Sequence, residues 1–240
     1  MKVDLYLNRS ELQNVQLQKD QIAVVIDVLR ASTTIITALK NGCLEIVPVA
    51  EVSEAFNVRN KSISQAILLG GERNEMIVPG FDMSNSPAEY TSDRVKGQTI
   101  IFTSTNGAQL FNFSRHADHA VVCGFVNILT VCSYLTKVKK DIAILCAGKN
   151  GQFGLEDAVC GGMLVKELNK PNSFVLNDGA VAAEILYEHF DDNILGMLYQ
   201  SSHGKRLIEI EQENDLKTCA SLNSINVMPV YRDGKIFIRD

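Results

Sequence analysis

The stretch Ala23-Val24-Val25-Ile26-Asp27-Val28-Leu29-Arg30-Ala31-Ser32-Thr33-Thr34 decides how this chain reads. Its first four residues are apolar and mostly β-branched, as expected of a parallel strand covered on both faces. Beyond it, Ile35, Ile36, Ala38 and Leu39 recur at helical spacing until Lys40-Asn41-Gly42 closes the segment. A strand, a short turn and a helix in this order predict an α/β fold, in which ligands gather outside the carboxyl ends of the strands. Asp27 and Arg30 fall in that turn, and Ser32, Thr33 and Thr34 open the helix, where unpaired backbone N–H groups favour an anion. A carboxylate, a guanidinium and three hydroxyls suit a metal ion and a phosphate. The same residues would equally serve as a strand end, a solvated charge and a helix cap.

Working outward, apolar runs at residues 2–7, 45–50, 66–69, 99–102, 120–123 and 142–145 read as further strands, and 51–60, 128–139, 158–168 and 179–190 as helices, the last capped by Asp178. Residues 225–231 and 235–238 read as a closing hairpin around Asp233-Gly234. This alternation predicts a three-layer α/β/α fold with a largely parallel or mixed sheet, as one unit over 1–240 or as two intimate lobes meeting near 125–140. With 240 residues, 46% of them hydrophobic, the chain can bury a large core. Its formal charge of −5 argues against nonspecific nucleic-acid binding, so an anionic ligand needs a locally cationic pocket. The start, Met1-Lys2-Val3-Asp4, lacks the basic-then-apolar order of a signal peptide, and no uninterrupted apolar run approaches a membrane span. A cytoplasmic protein without membrane partners is expected. The six cysteines are scattered without a C-x-x-C pair and read as reduced thiols.

Several loops concentrate chemistry. Gly70-Gly71-Glu72-Arg73 places an acid and a base at a strand end, repeating the pairing of Asp27 with Arg30. Residues 79–90 are rich in short polar side chains and prolines, and either satisfy their own turns or point Asp82 or Asn85 into a pocket. Thr103-Ser104-Thr105-Asn106-Gly107 can cradle a phosphate with hydroxyls and backbone N–H groups, and no Walker lysine follows it. The glycines of Cys146-Ala147-Gly148-Lys149-Asn150-Gly151-Gln152-Phe153-Gly154 do not match the dinucleotide fingerprint. Cys146 lacks the arginine six residues on that a cysteine phosphatase needs, since Gln152 stands there. Glu156 and Asp157 stand near the start of the 158–168 helix, where acids favour the helix dipole; if both lie in the helix, at most one is expected to bind a metal, because adjacent residues do not share a face. Gly161 and Gly162 inside that helix cost about 1 kcal/mol each against alanine, which close packing would explain. His203, in a Ser/Gly-flanked turn ahead of Lys205 and Arg206, is a candidate pocket acid or phosphate donor.

Taken together these motifs resemble the magnesium-dependent 2-phosphosulfolactate phosphatases. The resemblance rests on residues 25–34, Gly71-Glu72-Arg73, Gly80-Phe81-Asp82 with Asn85-Ser86-Pro87, residues 103–107, Cys146-Ala147-Gly148, Leu155-Glu156-Asp157, Ser202-His203-Gly204 and Val227-Met228-Pro229-Val230, in the family's order. Ser84 stands where that pattern has glycine, and Glu75 where it has a small residue. The resemblance implies Mg²⁺-dependent hydrolysis of 2-phosphosulfolactate to sulfolactate and phosphate, on the route to coenzyme M.

In that reading Asp27, Arg30 and His203 are catalytic, and Asp27, Glu72, Asp82 and Glu156 or Asp157 supply the oxygen-rich Mg²⁺ shell. Ser32, Thr33, Arg73, Asn85, Ser86 and Thr103, Ser104, Thr105, Asn106 and Gly107 hold the phosphate and the second acidic group. Asp27 is either metal ligand or nucleophile; Leu29 occupies the place of the second acid in aspartate-nucleophile phosphatases, which favours metal-activated water. A phosphatase for another phosphorylated hydroxy acid, or a noncatalytic protein binding a small dianion, would use the same loops. A homodimer is expected.

Overall fold

The computed structural model describes residues 1–62, 66–170 and 173–239. Its strands are β1 (Lys2–Tyr6), β2 (Ile22–Ile26), β3 (Glu45–Pro48), β4 (Ile67–Arg73), β5 (Met76–Ile77), β6 (Thr99–Thr103), β7 (His119–Cys123), β8 (Ile142–Cys146), β9 (Val175–Leu176), β10 (Pro229–Arg232) and β11 (Lys235–Ile238). The helices are α1 (Ala31–Lys40), α2 (Val52–Lys61), α3 (Ser92–Val95), α4 (Gly107–Ser114), α5 (Ile128–Val138), α6 (Leu155–Asn169), α7 (Asp178–Phe190), α8 (Ile194–Gln200), α9 (Ser202–Glu209) and α10 (Glu213–Cys219).

All eleven strands join one mixed, mostly parallel sheet in the order β5-β4-β6-β3-β11-β10-β7-β2-β8-β1-β9. Helices cover both faces, giving the expected three-layer α/β/α architecture. The period of two is plain in β2: Ile22, Val24 and Ile26 join the cluster beneath α5, α6 and α7, whereas Ala23 and Val25 join the one around α1 and α4. Burial on both sides is why the run carries no polar residue. A third cluster, with Leu69 and Ile101, packs Ala55 of α2 against β4 and β6.

The closing hairpin β10–β11 lies inside the sheet, antiparallel to β7 on one side and to β3 on the other. It joins two parallel groups, β4-β6-β3 and β7-β2-β8-β1-β9, which therefore run in opposite directions. The cluster around α1 and α4 nevertheless takes side chains from both groups, Ala23 and Val25 from β2 and Ile100 and Phe102 from β6. The segments that follow β2 and β6 meet, Gly107 at the start of α4 lying against Asp27.

Three local expectations change. Gly70 and Gly71 lie within β4, which continues to Arg73, instead of ending it. Asn177, not Asp178, caps α7, its Oδ1 accepting from Ala180 N–H at 2.9 Å. Ser32 lies inside α1, and its hydroxyl accepts from Asp27 N–H at 2.9 Å. Helices α3, α4, α8 and α10 and the two-residue strands β5 and β9 were not anticipated. A Cβ on Gly162 of α6 would collide with the backbone carbonyl of Ala183 in α7, the close packing that the glycine pair suggested. Among the described residues no helix is long and apolar enough to cross a membrane.

Candidate active site

A cleft of about 250 Å³ opens where the segments after β2, β4, β6 and β8 meet α9. Asp27, Arg30, Glu72, Asn85, Thr105, Asn106 and His203 line it, together with Leu29, Asn74, Glu75, Lys149, Asn150 and Arg206.

Asp27 follows the last residue of β2. Its backbone carbonyl accepts from Ser32 N–H at 2.8 Å and its Oδ1 from Ala31 N–H at 3.3 Å, which folds the turn tightly over the carboxylate. Across the cleft, Gly107 starts α4 so close to Asp27 that an added Cβ would overlap Oδ2. Burial pushes the Asp27 carboxyl up to about 6; His203 opposes this, and Glu72 and Glu156 add to it. Asp157 is raised more strongly, by burial and then by the charges of Glu156 and Asp27. Its two oxygens accept from Val28 N–H at 2.8 Å and Gly148 N–H at 2.9 Å, so it ties the β2 turn to the β8 turn.

Glu72 organises the opposite wall. Its carboxylate accepts from Thr105 N–H at 2.6 Å, Thr105 O–H at 2.9 Å and Glu75 N–H at 2.7 Å. The two-residue turn between β4 and β5 has left-handed backbone at both positions, φ +51° for Asn74 and +67° for Glu75. Left-handed backbone costs an ordinary residue about 1–2 kcal/mol, yet a glutamate stands at the second position. Burial alone would raise the Glu75 carboxyl, but hydrogen bonds from Lys149 and Arg206 outweigh it and hold the group below its ordinary range.

The third wall comes from the last quarter of the chain. Arg30, only 2% exposed, pairs with Asp215 Oδ2 of α10 at 2.6 Å and also donates to Gln212 Oε1. Ser86 O–H donates to the other Asp215 oxygen at 2.7 Å. His203 enters from the first turn of α9, where Ser201 Oγ accepts from Gly204 N–H at 2.9 Å. Its Nδ1 lies 3.2 Å from Glu156 Oε1. Glu156 thus backs the imidazole while Nε2 looks toward the cleft mouth, 3.8 Å from Glu75 Oε1.

Other residues singled out from the sequence lie elsewhere. Asp82 is outside the cleft, held by Arg59 at 3.0 Å and by Leu69 N–H at 2.8 Å, where it steadies β4. Arg73 folds back to donate to the carbonyls of Glu72 and Ala50, so its guanidinium does not line the cleft. Thr33 and Thr103 donate to the carbonyls of Val28 and Val49, and Ser104 Oγ accepts from Ala108 N–H in the first turn of α4; all three shape loops from behind. Ser32 does the same for Asp27. Cys146 is fully buried, and burial pushes its thiol well above the ordinary value, which suits a packing role. Reading from the sequence assigned no site role to Glu75, noted only as a departure from the family pattern, or to Lys149, Arg206 and Asp215. Two carried a usable signal: Lys149 follows a buried strand as Asp27 does, and Arg206 stands three residues after His203, on the same helical face.

Among the described residues no three His, Cys, Asp or Glu side chains are arranged to close on a metal ion. Mg²⁺ does not require that, because it commonly takes one or two carboxylates and fills its octahedron with waters and substrate oxygens. Two features of the cleft fit such an ion. Asn85 Oδ1 is buried without a hydrogen-bond partner, and burial, with the charges of Glu72 and Glu156 behind it, opposes ionisation of Asp27, which a cation would relieve. Glu72 and Asp157 are less open to a cation, because each already accepts from backbone N–H groups through both oxygens.

Fold and cleft together define an α/β protein that sets a buried carboxylate among arginine, lysine and histidine, a setting for a small polyanion. The chain belongs to the 2-phosphosulfolactate phosphatase family: the family described as 2-phosphosulpholactate phosphatase matches residues 7–234. It is 40% identical to a probable 2-phosphosulfolactate phosphatase of Symbiobacterium thermophilum over 91% of this chain and 94% of that protein. Proteins with the same description from Caldanaerobacter subterraneus and Clostridium perfringens are 36% and 37% identical, over 90% and 98% of this chain and 90% and 96% of theirs.

Proposed function

We propose that this protein hydrolyses 2-phosphosulfolactate to sulfolactate and inorganic phosphate with Mg²⁺ as cofactor. The observation that carries the reading is the meeting of Asp27, Arg30, Asn85 and His203 in one cleft of a chain that belongs to this family over residues 7–234. Asp27 and Asn85 Oδ1 would hold Mg²⁺, which when bound neutralises phosphoryl oxygens and lowers the pKa of a coordinated water. Phosphate monoesters resist hydrolysis because the attacking group must approach an anion, so fixed positive charge is the main demand on the protein. Arg30 supplies it from a rigid seat, since Asp215 and Gln212 fix the guanidinium before substrate arrives. His203, backed by Glu156, would deliver a proton to the departing alkoxide oxygen. Leu29, which lines the cleft two residues beyond Asp27, is no proton donor, and this favours attack by water over attack by the Asp27 carboxylate. The test is phosphate release from racemic 2-phosphosulfolactate and other phosphorylated hydroxy acids, with Mg²⁺ or EDTA. Turnover that needs Mg²⁺ and is lost in Asp27→Asn is expected; equal turnover in the mutant would remove Asp27 from the mechanism.

A further inference from the structure

Three cationic or potentially cationic groups converge on one carboxylate at the mouth of the cleft. Glu75 receives Lys149 Nζ at 2.8 Å on Oε1 and Arg206 Nε at 2.9 Å on Oε2, with His203 Nε2 at 3.8 Å. The partners come from distant parts of the chain, Lys149 from the segment after β8 and both His203 and Arg206 from α9. Glu75 itself sits at φ +67° in a two-residue hairpin turn, a position that glycine takes without strain and a glutamate does not. Strained backbone of this kind persists where the surroundings over-determine it, and here the carboxylate is anchored by the cations opposite.

The same cations are the ones able to receive a second anionic group. Arg30, seated on Asp215, is assigned above to the phosphoryl group, and Arg73 is turned to backbone carbonyls. Lys149 and Arg206, by contrast, are 24% and 42% exposed, and the Glu75 carboxylate between them is 17% exposed. Arg206 spends its NH1 on Glu209 at 3.0 Å, which leaves the Nε edge facing Glu75 and the cleft. A carboxylate held by an arginine edge and an ammonium has the contacts that a ligand carboxylate or sulfonate would make in its place.

We propose that Lys149 and Arg206 form the subsite for the non-phosphate anionic group of the substrate, and that the carboxylate of Glu75 occupies this subsite until the ligand displaces it. The identity of the ligand rests on the phosphatase reading above; the subsite rests on the cluster itself. Glu75 then weakens binding of the correct ligand, and it excludes small anions that cannot reach the phosphate position and the mouth together.

The test is calorimetric titration of the whole chain with sulfolactate, and separately with lactate, in EDTA. Wild type is compared with Glu75→Gln, with Glu75→Gly, which suits the turn, and with Glu75→Gln combined with Lys149→Met. Both single variants are expected to bind sulfolactate about fivefold more tightly, the size of one partly exposed charge interaction, and the double variant is expected to lose that gain. A gain shared by lactate assigns the subsite to the carboxylate; a gain confined to sulfolactate assigns it to the sulfonate. Unchanged or weaker binding in both single variants, or a gain that survives loss of Lys149, overturns the proposal. Phosphate release measured on the same preparations keeps the readings apart. Tighter binding without turnover in wild type retains the subsite and rejects the phosphatase, whereas turnover without any change in binding does the reverse.

Discussion

Arg30 and Asp215 offer the sharpest physical test of how the cleft is assembled. The guanidinium is 2% exposed and the carboxylate 5%, and their atoms meet at 2.6 Å, with Gln212 and Ser86 completing the network. Removing one partner of such a pair leaves a desolvated charge and costs about 3–5 kcal/mol. In Asp215→Asn the amide preserves the shape, Gln212 still accepts from Arg30, and the cleft acids lie nearby, so the lower end applies, about 3 kcal/mol. For a chain of this size each kcal/mol moves the thermal midpoint by about 2–4 °C, which predicts a fall of about 6–12 °C. Calorimetric scans at pH 7.5 would read it. In Arg30→Met combined with Asp215→Leu both charges are gone, no uncompensated ion stays buried, and at least half of the lost stability should return. Turnover should not return with it, because the guanidinium proposed to neutralise the phosphoryl group is missing. The reasoning fails if Asp215→Asn melts within about 2 °C of wild type, or if the double variant is no more stable than the single one.

The remaining expectations concern Asp27 directly. Its folded-state carboxyl is raised from 3.8 to about 6, so its stabilising share is fully present below about pH 4 and is lost as pH rises through 6. Asp27→Asn, which cannot ionise, should therefore match wild type in EDTA near pH 4 and exceed it by about 3 kcal/mol at pH 8. Urea titrations at the two pH values check this, and an equal difference at both would refute it. Mg²⁺ should raise the melting temperature of wild type at pH 8 and leave that of Asp27→Asn unmoved, since a ligand stabilises only the state it binds; equal shifts would remove Asp27 from the metal site. In Gly107→Ala the new methyl would press on Asp27 Oδ2. A displacement of about 1 Å at a reacting group predicts a loss of about a hundredfold in kcat, measured by phosphate release; unchanged kcat would show that α4 does not set the carboxylate.

The strands longer than two residues and most of the longer helices were legible from the sequence because their signals are local. β2 and β8 are continuous apolar runs because both of their faces are covered, and α5 repeats its apolar positions at helical spacing. Asp27, Arg30, Glu72 and His203 were legible for a related reason: each stands at the end or start of an element, where a polar group has no business inside a core. Helices α8 and α10 were missed because they are short, at seven residues each, and offer too few turns to show a period.

What the sequence determined by itself, then, was the longer elements, the α/β class and the turns that carry polar chemistry, because propensity, periodicity and capping act within a few residues. Only the tertiary structure decided the partners. Asp215 reaches Arg30 across 185 positions, Arg206 reaches Glu75 across 131, and the final hairpin slips between β3 and β7 so that two oppositely running strand groups share one cleft. Such pairings follow from the strand order and the packing of helices between the two groups. No local pattern encodes them, because a charged side chain on a turn looks the same in sequence whether it meets a carbonyl, as Arg73 does, or a buried carboxylate, as Arg30 does.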